Sequence, residues 1–180
     1  MRLVQKTTPE SAISVSDAKG FLRVLSTDED ALISSFIEAS TAFAQRYTNT
    51  QIMSCSFELY MPSLSDGFKM PKNPIKSIAS IEVMNELGVY VPFTDFYTYM
   101  QNGITLLHVT TLPTTLAHEE AVKISFSSGY DECPHDIATW MRAKIASLYE
   151  FREMYLSGTL VSVPKNHVDC MLDQHRIKEF

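Results

Sequence analysis

From Cys133 to Tyr155 the sequence CPHDIATWMRAKIASLYEFREMY reads as one long amphipathic helix entered through a proline. Pro134 suits the first turn of a helix, where its missing N–H is not needed. Asp136 stands near the positive end of the helix dipole. Ile137, Trp140, Met141, Ile145, Leu148 and Tyr149 then recur at three- and four-residue steps and make one apolar face. Such a face has to be covered, so the rest of the chain is read for what covers it.

Residues 1–13 read as an extended lead-in, with Pro9 opposing a helix. Ser14-Val15-Ser16-Asp17 has the form of a capping box and announces a short helix through Ala18, Phe21, Leu22 and Leu25, weakened by Gly20. Thr27-Asp28-Glu29-Asp30 looks like a second box. The helix expected after it, Asp28 to about Tyr47, carries Leu32, Phe36, Ala39, Phe43 and Tyr47 on one face, widened by Ile33, Ile37 and Ala44. At 1.5 Å per residue it makes a rod of about 30 Å, long enough to lie along much of the 133–155 helix.

Between these helices the period changes. Cys55, Phe57, Leu59 and Met61 alternate with polar residues, as a half-buried strand does. A loop from Pro62 to Pro74 carries Asp66-Gly67 and leads, with Lys69, Lys72 and Lys76, into a strand with Ile81 and Val83 inward. Asn85 to Gly88 turns that strand into Val89-Tyr90-Val91. Phe96–Met100 and Ile104–Val109 flank Gln101-Asn102-Gly103, and Asn-Gly is a strong hairpin signal. Val122, Ile124 and Phe126 mark a last strand before Gly129-Tyr130.

Helices on either side of about five antiparallel strands give an α+β chain. The expected architecture is a helical bundle formed by the N-terminal and C-terminal helices, with an inserted antiparallel β block and an extended C-terminal tail. The expected boundaries are 1–51 for the arm and first helices, 52–128 for the β insertion, 129–157 for the long helix, and 158–180 for the tail. Ser157-Gly158 is the expected helix end, and the segment after it is too short for a core of its own.

The chain has 180 residues, 45% of them apolar, which suffices for a core without staples, and a net charge of −6. An acidic balance opposes a protein that grips phosphate backbones. Cys55, Cys133 and Cys170 are odd in number and far apart, so free thiols in a reducing compartment are expected. MRLVQKTTPE lacks an apolar signal core, and no apolar run is long enough to span a membrane.

No catalytic motif is present. His118-Glu119-Glu120 and Glu132-Cys133-Pro134-His135-Asp136 are the only clusters with metal-ligand character, and neighbours on a strand point apart. No P-loop, G-x-S-x-G or G-x-G-x-x-G occurs. Neither a cofactor nor a metal site is expected. The rival reading, a metal-dependent hydrolase or nuclease, would have to draw Asp, Glu and His from residues 118–136.

The order of these features resembles the head–tail connector (adaptor, head-completion) proteins of tailed bacteriophages. The carriers are Ser14 to Val24, the Asp28-Glu29-Asp30 lead into Ala31-Leu32-Ile33, and Arg46-Tyr47-Thr48. Ala121–Phe126, Ser128-Gly129-Tyr130 and the helix ending Leu148 to Glu153 add to them. Val168 to Ile177 resembles the family's ending, with Met171-Leu172 and His175-Arg176 in place of its usual Leu-Leu and Tyr-Arg pairs.

The resemblance implies a structural, non-enzymatic virion protein in the neck, made in the host cytoplasm. It would form a dodecameric ring under the portal protein, extend the channel for double-stranded DNA and offer a platform to the stopper or tail, with no membrane partner. A neck or tail-completion protein that binds the tail tube is the nearest alternative. The portal-docking tail would use Val168, Met171, Leu172, His175, Arg176, Ile177 and Phe180. Bundle core or subunit interface would use Leu32, Phe36, Phe43 and Tyr47 from the first long helix. From the second it would use Ile137, Trp140, Met141, Leu148, Tyr149 and Arg152. The β block exceeds the minimal helical version of the family and is expected to add contacts between subunits.

Overall fold

The computed structural model describes residues 1–151 and 166–177, without the side chains of 166–169. It is an α+β protein of helices and antiparallel sheets. Two compact units emerge, 1–10 with 53–131 and 177–180, and 11–52 with 132–176.

In the second unit, helix α1 (Val15–Leu22) starts where the capping signal places it. The Asp17 amide donates to Ser14 Oγ at 3.0 Å. The second box does not form. Helix α2 (Asp30–Thr48) has Glu29 at its N-cap with no side-chain cap, and the Asp30 amide donates to the Thr27 carbonyl in a backbone turn. Helix α3 (His135–Glu150) begins after Pro134 and ends earlier than Ser157-Gly158; Phe151 caps it, its amide on the Ser147 carbonyl. Arg152 and the expected helix end lie outside the described residues. Tyr149 bonds Glu29 near one end of α2 and Trp140 stacks on Phe43 near the other, so α2 and α3 run antiparallel.

The stripe of α2 that faces inward is not the one expected. Ile33, Ile37, Ser40, Ala44 and Thr48 are buried, whereas Leu32, Phe36 and Tyr47 are half-buried and Ala39 and Phe43 are exposed. The expected centre of the apolar face is therefore its flank. The core positions take the small and β-branched side chains that let two helices approach. On α3 the expected positions Ile137, Trp140, Met141 and Ile145 are buried, and Leu148 and Tyr149 are half-buried.

The first unit holds more strands than the sequence period revealed, in two sheets. The larger is β1 (Arg2–Gln5), β2 (Cys55–Met61), β8 (Val122–Ser128), β4 (Ile75–Met84) and β5 (Tyr90–Pro92), adjacent in that order. The smaller is β3 (Phe68–Lys69), β7 (Ile104–Val109) and β6 (Phe96–Gln101). Strand β3, of two residues, is too short to show a period, whereas β5 lies where the turn at Asn85–Gly88 leads. β1 pairs with β2, Leu3 opposite Leu59, so residues 1–10 of the lead-in belong with the β unit and 11–13 with the helices. The hairpin is where Asn-Gly puts it, with Asn102 and Gly103 at φ 52° and 79° joining β6 to β7. Both sheets feed one core, in which Phe57, Leu59, Ile81, Val122, Ile124 and Phe126 meet Leu107 and Val109.

The two ends of the β segment are tied to each other. Met53 bridges Tyr130, and the Ser54 amide donates to the Tyr130 carbonyl at 2.9 Å. Gly129, at φ 101°, passes so close that a Cβ there would stand 2.5 Å from the Met53 carbonyl oxygen. The neighbour is backbone and cannot swing aside. Gly129→Ala is therefore expected to destabilise the protein by about 2 kcal/mol or more. Gly20→Ala, inside α1 with nothing within 4 Å, should instead stabilise it by about 0.5–1 kcal/mol. Paired thermal melts decide, and a G129A protein melting with the wild type would contradict the contact.

Candidate functional site

The polar groups with chemical potential are occupied locally. His118 Nδ1 accepts from the Glu120 amide at 3.1 Å, and Glu120 holds Arg2 at 2.7 Å. Asp66 lies 2.6 Å from His108 Nδ1, but its carboxylate also accepts the Val109 and Gly67 amides. Those hydrogen bonds, Val109 foremost, hold its pKa below the usual carboxylate range. This pair closes a turn. Glu58 is held low in the same way, first by the Tyr60 hydroxyl and then by Lys6 and Lys123. It belongs to a charged row on the sheet, with Lys123 to Glu82 at 3.2 Å. Among the described residues no three His, Cys, Asp or Glu side chains converge as metal ligands. No helix among them is long and apolar enough to cross a membrane.

Cys133 is poorly suited to act as a nucleophile. Burial pushes its thiol up to about 11, and the thiolate is the reactive form.

What the helical unit offers is surface. Leu32, Phe36, Ala39 and Phe43 follow one another along α2 at steps of four, three and four residues. That spacing draws a line down one side of a helix. None of the four is fully buried, and Phe43 is 45% exposed. Phe43 is nevertheless fixed: its ring stacks on Trp140 at 5.4 Å and on Tyr47 at 6.2 Å, with the Lys144 ammonium 5.5 Å from its centroid. The line is an ordered, half-covered apolar stripe.

The tail residues lie beside the end of this stripe. Helix α4 (Asn166–Asp173) brings Leu172 to complete burial, and Asp173 accepts a 2.8 Å hydrogen bond from the Tyr47 hydroxyl. The Arg176 guanidinium stands 5.3 Å over the Tyr47 ring. His175 Nε2 is 3.7 Å from Asp136 Oδ2, too long for a hydrogen bond. Met171 and Ile177 are half-buried and Arg176 is exposed. Where an extended tail was expected, a helix covers part of the chain's own helical unit. The side chain of Val168, with Arg152 and Phe180, lies outside the described residues. Sequence reasoning missed Lys144 as a partner of Phe43, although its position one turn beyond Trp140 was a signal for it.

Comparison with known proteins bears on these surfaces. The profile of the phage gp6-like head-tail connector protein family matches residues 12–86, from before α1 to the end of β4, and bears out the resemblance read from the sequence. No curated protein sequence matches the chain. Among solved structures, a chain in the neck of an empty GTA particle computed with C6 symmetry superposes with a TM-score of 0.81 at 20% identity. A chain in the virion of a native gene transfer agent particle gives 0.82 at 19%. A chain in the neck of a native GTA particle computed with C12 symmetry gives 0.78 at 18%. Each match covers 100% of this chain and 97% of the other. The fold is shared over the whole length.

The thiols test the chemical reading. At mildly alkaline pH, Cys133 should carry about 100-fold less thiolate than an ordinary cysteine, since each pKa unit is tenfold. A maleimide is expected to label exposed Cys170 first, and Cys133 and Cys55 only on unfolding. Mass spectrometry of the labelled peptides reads the order; Cys133 labelled as fast as Cys170 would reopen a reactive role.

Proposed function

We infer that this chain is a structural component of the neck of a tailed phage or phage-like particle, a head–tail adaptor without enzymatic activity. In this reading copies form a ring under the portal, extend the DNA channel and present the platform for the stopper or tail. The observation that carries it is the connector-family match over 12–86 on a fold that superposes end to end with neck chains. The side chains described above agree, since Asp66, His108, His118, Glu58 and Glu120 are engaged in turns and strand rows. A net charge of −6 suits a channel wall past which DNA must slide.

The helical unit acts as the bundle, and the half-covered line Leu32, Phe36, Ala39, Phe43 is its face for the neighbouring copy. The C-terminal segment is the portal contact. Because Leu172 is buried, the groups it presents there are Met171, Arg176 and Ile177. The β unit, larger than a minimal adaptor requires, joins further contacts between copies.

Mass measurement of the purified protein, alone and with purified portal, tests this. Rings of about twelve copies, or a stable portal complex, are expected, by analogy with the C12 neck. Truncation after Val163 should abolish portal binding, and Phe36→Asp should abolish ring formation, each checked for folding by circular dichroism. Binding to a tail-tube protein in place of the portal would favour a tail-completion role. A monomer that ignores portal rings and turns over a substrate would defeat the proposal.

A further inference from the structure

Strand β4 ends in two unlike surfaces. At its start the outer edge is open: β5 pairs only with Glu82, Val83 and Met84, so Ile75 to Ser80 have no partner strand on that side among the described residues. β6 is the outermost strand of the smaller sheet, and its other edge is likewise unpaired. Between them lies a cleft of about 370 Å³ lined by Ile75, Ile78, Phe96 and Met100, with Thr98 on its wall. Met100 is 65% exposed although it is an apolar side chain on the lining. The chain running into this cleft carries exposed Lys69, Lys72 and Lys76, the last bonded to Asp131.

At its other end β4 enters the turn Asn85–Gly88, whose tip is apolar and presented rigidly. Leu87 is 86% exposed and Val89 55%. Asn85 Oδ1 accepts from both the Leu87 and Val89 amides at 3.0 Å, and the Gly88 amide closes on the Asn85 carbonyl. An exposed leucine on a pinned turn is a preformed knob. Glu86 stands beside it, and the loop bearing exposed Glu119 is tied to the same end of β4 by the Leu116 amide on the Met84 carbonyl.

One end is thus a cleft of mixed lining, in which Ile75, Ile78, Phe96 and Met100 stand among Lys76, Ser77 and Thr98, and the other an apolar knob flanked by glutamates. The ten residues of β4 separate them by about 30 Å. A knob cannot enter a cleft at the far end of its own strand, but it can enter that of a second copy. Two different, complementary patches make a head-to-tail contact, the kind that closes into a ring when the rotation allows. Opposite charges around them fix orientation and steer approach. We propose that the β4–β5 turn of one copy seats Leu87 and Val89 in the cleft between β4 and β6 of the next. This rests on the reading of the chain as a ring-forming part.

The test uses full-length protein with exposed Cys170 replaced by serine. Leu87→Cys and Thr98→Cys are made in separate preparations, mixed, assembled on portal rings and oxidised. Cross-linked dimers are expected in the mixture and not in either preparation alone. L87C and T98C placed in one chain should give a ladder of covalent oligomers. Leu87→Asp should weaken self-association at least tenfold by sedimentation, with an unchanged melting temperature. Glu86→Lys with Glu119→Lys should weaken it and be partly rescued by Lys72→Glu with Lys76→Glu. Rings that form normally with L87D, or T98C that links only to a different particle protein, overturn the seating and leave the ring reading standing. A wild-type chain that stays monomeric even with portal rings overturns both.

Discussion

The backbone contact between Met53 and Gly129 is the constraint on which the arrangement of the chain depends. Residues 53–131 leave the helical segment after α2 and return to it before α3, and they do so side by side. Closing a loop that long by chance contacts would cost entropy that grows with its length. Here the closure is made by the unit itself, through the Met53–Tyr130 bridge, the Ser54 amide and the full pairing of β2 with β8. Only a residue without a Cβ permits the approach. Residues 53–131 are therefore a segment whose ends meet, and β1 from the N-terminus completes its larger sheet.

Legibility from sequence followed how local each signal is. Ser14 caps α1 and Asn102-Gly103 turns the hairpin because those choices are settled within four residues. Alternation in β2 and β8 survives because both strands have one buried face. β1 is illegible, since four residues whose partner strand lies some fifty positions away carry no period. Thr27 failed as a cap for a different reason. Its carbonyl took the Asp30 amide in a turn, which moved the helix start to Glu29 and left the acids after it without a capping role.

The displaced stripe on α2 carries more information than an error of phase. Apolar residues occupy two adjoining lines of that helix: Ile33, Ile37, Ala44 on one, and Leu32, Phe36, Ala39, Phe43 on the other. Periodicity reports their combined width and cannot say which line the chain itself covers. The first line is buried, and α3 also reaches the second, where Trp140 stacks on Phe43. α1, α3 and α4 all pack on α2 and still leave Leu32, Phe36, Ala39 and Phe43 short of burial. The same logic separates the site residues: those on α3 were legible because that helix has a single apolar face and the chain covers it.

The tail has the opposite character. The sequence presents it as a segment waiting for another protein, and several of its residues already have partners at home. Freeing Leu172 would expose a buried leucine at about 1.5–3 kcal/mol. The Tyr47–Asp173 hydrogen bond would be lost as well, at about 1 kcal/mol. A portal contact made with the helix still seated avoids both costs and uses the side that Met171 and Arg176 present. A contact that required release would have to recover them before contributing any affinity. For a portal contact of the kind proposed, the seated mode is thus favoured, with α4 kept as cover for its own helical unit.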